Sequence, residues 1–434
     1  MKVKKLLSIL ISATMLLSGI TAVSAEDTAV ATIGDESFTS LEDTDTGAFA
    51  AACKGENKTI VLQADASTAD TMHVLKDSGD IILDLNGHTI TSSADPAIRV
   101  WNGGSLTIID TVGTGVIKAT KSMADGVRSG SGDNYKNTEN EKAKLVINGG
   151  TIDAAYSVFA VNDTDVELNG GVYTGWIYTN GTYKNSNITI NGGEFKKMVY
   201  LAAGRGSIYE INGGHFETAD GSTAVEIKQG TLTVNGGKFV NISSKTGWEA
   251  EPSGSSSEGY ALAAVAQYAE PATVTVNGGT FDGAVGLVKI TTINSTLTIK
   301  GGSYVNDISE YTAEGYTTIN IEKKYGVAEK KETTVNELTD ETAKASVKAG
   351  LEKQIELKDN TSEKTDTFEL SKIGATYLIR ATYPVSSEDN KSGSVDVDFN
   401  FSNAEINGNA MFGVIFYNIP AGIMIGTPEI SIAR

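Results

Sequence analysis

From residue 145 to residue 299 the chain alternates apolar and polar positions in short bursts. The apolar pairs are Leu145/Ile147, Val166/Leu168, Ile188/Ile190, Leu232/Val234, Val274/Val276 and Leu297/Ile299. Polar residues separate them, often threonine: Thr189, Thr233, Thr275 and Thr298. Period-two alternation of β-branched residues predicts a strand with one buried face. Each burst runs into the phrase Asn-Gly-Gly, with its asparagine at 148, 169, 191, 212, 235 and 277, and Lys300 takes that place in a seventh copy. A large apolar residue follows the glycines: Ile152, Tyr173, Phe195, Phe216, Phe239, Phe281 and Tyr304. A third apolar patch ends the period, as in "AVEIK" (224–228) and "GLVKI" (286–290). Three short strands in about 22 residues describe one coil of a right-handed parallel β-helix, a stacked repeat.

The phrase has a physical reading. Glycine takes a positive φ without steric cost, and Asn tolerates left-handed backbone. Equivalent residues on successive coils lie about 4.8 Å apart. Asn148, Asn169, Asn191, Asn212, Asn235 and Asn277 are therefore expected to form a hydrogen-bonded structural ladder. The large residues after the glycines are expected to stack likewise. The steps between asparagines are 21, 22, 21, 23 and 42 residues. The 42 is either two coils or one coil with a large loop. Asn102-Gly103-Gly104 lies 46 residues before Asn148, about two further steps.

The remaining segments follow. Residues 1–25 carry Lys2, Lys4 and Lys5, an apolar run from Leu6 to Ile20 and the small-residue site Val23-Ser24-Ala25. That pattern predicts a secretory signal peptide, with Glu26 as the mature start. Residues 26–79 are expected to be an N-terminal cap with the first coils, partly helical over 38–55, because an open solenoid end must be covered. "IILDLNGHTITS" (81–92) is the first clear coil, and the β-helix is expected over 80–323. Residues 122–143 and 243–260 are polar, Gly/Ser-rich insertions and read as surface loops. Residues 324–364 read as a charged linker. Residues 365–434 alternate in short strands and predict an antiparallel β-sandwich-like module. The expected fold is all-β.

Composition narrows the function classes. The 434 residues carry a formal net charge of −19, which becomes −22 without the three lysines of the leader. Such a surface repels nucleic acid and acidic polysaccharide. No segment after the leader has the roughly 20 apolar residues of a membrane span. One cysteine excludes internal disulfides, and three histidines make a His/Cys metal centre untenable. No cofactor is expected, and loose Ca2+ binding is left open.

"AVATIGDESFTSLEDT", "IILDLNGHTIT", the Asn-Gly-Gly coils and "DISEYTAEGY" together resemble secreted right-handed β-helix surface proteins of gut-type Gram-positive bacteria, within the pectin-lyase-like fold group. The resemblance spans about residues 29–320. It implies a secreted or surface-displayed solenoid of the kind built into adhesin-like proteins. "LEDTDTGAFAAA" is a worn version of the alanine-rich cap helix of such proteins. The fold group includes pectate lyases and polygalacturonases, but their catalytic motifs are missing here: no calcium-holding acidic face with its arginine base, no Gly-His-Gly, no Arg-Ile-Lys. His73, His88 and His215 are isolated, and the latter two read as outward-facing turn residues. Asp163/Asp165 and Asp396/Asp398 are carboxylate pairs two residues apart that read as solvated surface.

One cluster stands out when coils are aligned by distance from their asparagine. Trp176 coincides with Met198, and Tyr178 with Tyr200, while Ile177, Val199 and Leu201 take the interior parity. Trp176, Tyr178 and Tyr200 should then point outward and stack, with Glu226 and Lys228 outward on the next coil. An exposed aromatic shelf beside charged groups suits a sugar, because rings cover its apolar faces and polar groups fix its hydroxyls. Trp248, with Glu249 and Glu251, is a separate candidate contact. The leading expectation is a secreted or cell-surface, non-catalytic binding or adhesion protein for a glycan or an extracellular protein. The alternatives are a polysaccharide-degrading lyase or hydrolase, and a spacer displaying the C-terminal module.

Overall fold

The computed structural model describes residues 29–42, 46–131, 141–181, 185–204, 206–218, 221–241, 243, 246–249, 256–321, 324–329, 362–370, 377–387, 392–401, 410–419 and 422–433. The chain winds into a parallel β-helix of ten coils. Sheet 1 holds the strands before each Asn-Gly-Gly turn, from 59–62 to 296–299, and sheet 2 holds those after it, from 66–68 to 303–304. Sheet 3 closes nine of the coils, from 72–74 to 284–289. Neighbours within each sheet are one coil apart and in parallel register, as in Leu145↔Val166 and Ile147↔Leu168.

The alternation explains the core. The inward positions of sheet 1, among them Leu145, Ile147, Ile188, Ile190, Leu232 and Val276, are buried. At the sheet 2 corner the aromatic residues form a continuous stack. Tyr173–Phe195, Phe195–Phe216, Phe216–Phe239, Phe239–Phe281 and Phe281–Tyr304 have centroids 4.6–4.8 Å apart and nearly parallel planes. The Tyr173 hydroxyl at one end donates to the Gly170 carbonyl at 2.7 Å. Tyr304 at the other end donates to Gly301 at 2.6 Å. Both polar tips are thereby satisfied inside the core.

Outside that corner runs the asparagine ladder. Each Nδ2 donates to the Oδ1 one coil earlier: Asn169 to Asn148, Asn191 to Asn169, Asn212 to Asn191, Asn235 to Asn212 and Asn277 to Asn235, at 2.7–2.9 Å. The two glycines serve different ends. A Cβ on Gly213 would lie 2.5 Å from the Asn191 carbonyl oxygen, so close coil approach demands a bare backbone there. Gly214 has φ +106°, a conformation reserved for glycine. Asn277 bonds directly to Asn235 across the 42-residue step, so that step is one coil carrying an insertion. Asn102 belongs elsewhere. It sits between the sheet 3 strand 98–100 and the sheet 1 strand 105–109, at a different corner, with φ +49°.

The coil pattern also begins earlier than 81, because strands 59–62, 66–68 and 72–74 make a complete first coil. A hairpin of 31–33 and 36–38 adds antiparallel to 59–62, and helix Ala48–Lys54 buries Phe49 and Ala52. At the far end a hairpin of 316–321 and 324–329 pairs antiparallel with 303–304, so 324–329 is strand rather than linker. One edge of sheet 1 and the opposite edge of sheet 2 are thus capped by antiparallel hairpins. The C-terminal strands form two antiparallel sheets, 362–370 with 410–419, and 377–387 with 392–401, 423–425 and 429–433.

Neither insertion is a plain loop. Asp125–Ser129, inside 122–143, is a full sheet 3 strand whose single inward apolar side chain is Val127. Residues 247–249 and 256–258, inside 243–260, form a small antiparallel hairpin.

Candidate carbohydrate-binding face

The outward side of sheet 3 concentrates the unusual side chains of the described structure. Cross-strand register runs His73–Arg99–Arg128–Phe159–Tyr178–Tyr200–Glu226 up one column. Beside it stand Asp125, Tyr156 and Trp176, also in register. Parity puts Arg128, Phe159, Trp176, Tyr178, Tyr200 and Glu226 outward, because Val127, Val158, Ile177, Val199 and Val225 beside them fill the interior. Tyr156 and Asp125 stand two residues before Val158 and Val127, and the register shift between Tyr156 and Val158 takes them out of that alternation.

Trp176, Tyr178 and Tyr200 do meet across coils. The Tyr178 and Tyr200 rings stack at 4.9 Å with planes 3° apart, and Trp176 tilts against Tyr200 at 6.2 Å. The shelf extends downward through two residues that the alignment of coils passes over. Phe159 meets Tyr178 edge-on at 5.0 Å, and Tyr156 meets Trp176 at 6.5 Å and Tyr178 at 5.4 Å. Tyr156, Phe159, Trp176 and Tyr178 are all half-buried and form an open aromatic surface.

The upper end is covered, contrary to its expected exposure. Tyr200 is 4% exposed, and Glu226 and Lys228 are 0% exposed. The paired strands 247–249 and 256–258 supply the residues that cover them. The Ser257 backbone N–H and hydroxyl both donate to Glu226 Oε2, and the Thr223 and Ser257 hydroxyls meet at 2.8 Å. Lys228 Nζ pairs with Glu226 Oε1 at 3.3 Å. Three rings surround that ammonium: Tyr200 at 4.7 Å, Trp248 at 5.1 Å and Tyr268 at 5.4 Å. The Tyr200 and Tyr268 hydroxyls hydrogen-bond at 3.0 Å. Trp248 therefore packs, half-buried, on Lys228 rather than reaching outward from a loop. Glu251 and the side chain of Glu249 lie outside the described residues. Burial pushes the Glu226 carboxyl up and the Lys228 ammonium down from their ordinary values, each partner opposing the shift in the other.

The lower end is charged. Arg128 Nε donates to Asp125 Oδ2, its NH2 lies 3.7 Å from Asp95 Oδ1, and its guanidinium stacks 5.1 Å over the Phe159 ring. Arg99 stacks 4.9 Å over Trp101. The Asp125 carboxylate is 1% exposed. Burial raises its pKa to about 6, against the opposing pull of Arg128. Tyr156 is raised too, by burial and then by Asp125.

The other marked residues are structural. Asp163 is buried in a turn at φ +59°, while Asp165 is exposed, accepts from Asn187 Nδ2 at 2.9 Å and pairs with Lys142. Asp396 accepts from the Thr382 hydroxyl and pairs with Arg380 at 3.5 Å. The side chain of Asp398 lies outside the described residues. His88 is near Asp65, and His215 heads a sheet 2 strand between Glu194 and Glu217. Among the described residues, no group of three His, Cys, Asp or Glu side chains is placed to hold a metal ion.

No family model and no curated protein matches the chain. Among solved structures, it is similar to the enzymatically active domain of tailspike protein 4 of bacteriophage CBA120, at 9% identity and a TM-score of 0.26. The match covers 86% of this chain and 64% of that one, so this chain spans less than two thirds of the tailspike domain.

Proposed function

We propose that the protein is a secreted or surface-displayed, carbohydrate-binding β-helix that holds a glycan across the open part of sheet 3. The observation that carries the reading is the cluster Tyr156, Phe159, Trp176 and Tyr178, four half-buried rings on two adjacent coils. A sugar chain laid along the helix axis would meet rings on both of those coils, and Arg128 and Asp95 border the cluster with hydrogen-bonding groups. A rigid parallel scaffold suits this task, because the platform is ordered before the ligand arrives. The amino-terminal leader-like segment and the acidic charge support an extracellular setting.

Hydrolysis is the second reading, and Asp125 favours it. A carboxyl held up to about 6 beside Tyr156 has the pKa of a general acid. A general acid must also come within hydrogen-bond reach of the glycosidic oxygen. Arg128 seals Asp125 from the surface, which is why binding is the better reading.

The test is a glycan array probed with residues 26–434, followed by titration of any hit against Trp176→Ala and Tyr178→Ala. Each variant is expected to lose at least about tenfold in affinity, the size of one aromatic contact. Unchanged affinity in both would sink the shelf as the binding surface. Release of new reducing ends from the bound glycan, abolished by Asp125→Asn, would move the reading to hydrolysis.

A further inference from the structure

Sheet 3 changes character above the hairpin. Its outward positions there are small: Ala263, then Ala284 and Gly286 one coil on. Where the lower coils carry rings along that column, these two carry a methyl group and bare backbone. The result is a cleft of about 790 Å³ whose floor is 283–287. That volume lies within the range of ligand-binding clefts.

The walls are specific. Tyr260 stands on one side and Tyr311 on the other. A Cβ at Gly286 would come 3.2 Å from Tyr260 Cε1 and 3.7 Å from the Tyr311 hydroxyl, so both tyrosines reach the same glycine. The Leu287 N–H donates to the Tyr311 hydroxyl at 3.3 Å and fixes that ring. Asp282 and Asn306 line the rim, both exposed and neither with a side-chain partner among the described residues. Glycine inside a strand forfeits packing and marks a close approach, here that of the two tyrosines that wall the cleft.

A second observation points the same way. Strand 260–266 carries a β-bulge between Tyr260 and Leu262, where two residues face one on the next coil. Bulges re-aim side chains and recur beside functional sites. The other bulge among the coil pairings lies between Tyr156 and Val158, at the foot of the aromatic shelf. The same device turns a tyrosine at each place. The two places are four coils apart, roughly 19 Å at about 4.8 Å per coil, and the hairpin strands 247–249 and 256–258 cover Glu226 and Lys228 on the coil between them.

We infer that the Tyr260–Tyr311 cleft is a second binding site, separate from the shelf, for a short neutral oligosaccharide. Its ligand class rests on the carbohydrate reading above. Two tyrosine rings cover sugar faces, the Asp282 carboxylate and Asn306 amide take hydroxyls, and Asp282 with the overall acidic charge disfavours an anionic ligand. Glycine at 286 lets the Tyr260 ring and the Tyr311 hydroxyl come down onto the floor, so a larger side chain there would displace the walls.

The experiment titrates the chain with cellotetraose, xylotetraose, mannotetraose and maltotetraose by calorimetry. Four proteins are compared: wild type, the double variant Trp176→Ala/Tyr178→Ala, Gly286→Val and Asp282→Ala. At least one tetraose is expected to bind the double variant, with a Kd within twofold of one wild-type site. Gly286→Val and Asp282→Ala are each expected to weaken that site at least tenfold. Asp282→Ala alters only an exposed side chain, so it remains decisive where Gly286→Val fails to fold. Binding lost in the double variant but kept in wild type overturns the cleft and leaves the shelf standing. Binding untouched in the double variant and lost in Asp282→Ala supports the cleft and removes the shelf. No binding by wild type, or binding indifferent to Asp282→Ala, overturns the inference.

Discussion

The ion pair beneath the hairpin allows a sharp test of how the covered end of sheet 3 is held. Lys228→Met keeps the volume of the side chain and removes its charge. It leaves the Glu226 carboxylate fully buried, with Ser257 as its remaining donor. Breaking a buried pair from one side costs about 3–5 kcal/mol, because the surviving charge is uncompensated. Glu226→Gln leaves Lys228 among Tyr200, Trp248 and Tyr268, where cation–π attraction is worth roughly 2 kcal/mol when desolvated. That change should cost less, about 1–3 kcal/mol. The double variant should cost less than the two singles added, with a coupling of about 2–3 kcal/mol. The penalty of Lys228→Met should also shrink as pH falls, because burial already favours protonated Glu226. The assays are denaturant unfolding of all four proteins at pH 5 and 7, and amide exchange at Ser257, whose N–H donates to Glu226. Exchange there should accelerate in Lys228→Met more than in the double variant. A Lys228→Met protein within about 1 kcal/mol of wild type at pH 7, with Ser257 still protected, would refute the reasoning.

Two more outcomes follow from the core and the charged end of the shelf. Phe216→Ala empties the middle of the aromatic stack between Phe195 and Phe239 and should cost about 3–5 kcal/mol. Loss of amide protection should spread to the two flanking coils, since each coil is supported by its neighbours. A cost below 1 kcal/mol would mean the rings are not the packing element. Asp125 is raised from 3.8 to about 6, so its contribution is fullest below pH 4 and is lost as pH rises to about 6. That shift corresponds to about 3 kcal/mol. The stability of wild type relative to Asp125→Asn should therefore fall by about that amount between pH 4 and 7, and a pH-independent difference would contradict it.

The coil, its turn and its two ladders were legible because each is a local repeat. Asn at a fixed step and a ring four residues later state their own partners, since the register of a parallel stack brings like to like. The parity that aimed Trp176, Tyr178 and Tyr200 outward held for the same reason. The rest of the face was hidden by two irregularities. Tyr156 lies eight residues past Asn148 and Trp176 seven past Asn169, and beyond the bulge the offset becomes two, so counting from the asparagine never aligns Phe159 with Tyr178. Strand Asp125–Ser129 has one inward apolar residue, Val127, flanked by Gly126 and Arg128, too little for a period-two signal.

The covered end was hidden for a deeper reason. Exposure is a property of what returns to a surface, and the hairpin returns across sheet 3 from a stretch whose composition is that of any solvated loop. Its contribution is three kinds of contact: a serine for Glu226, a tryptophan for Lys228 and shelter for Tyr200. None has a periodic signature. One insertion thereby converts a continuous aromatic and charged column into two separated surfaces, the open shelf below and the tyrosine-walled cleft above. In a solenoid the repeats fix where side chains point, and the interruptions decide which of them a ligand can reach.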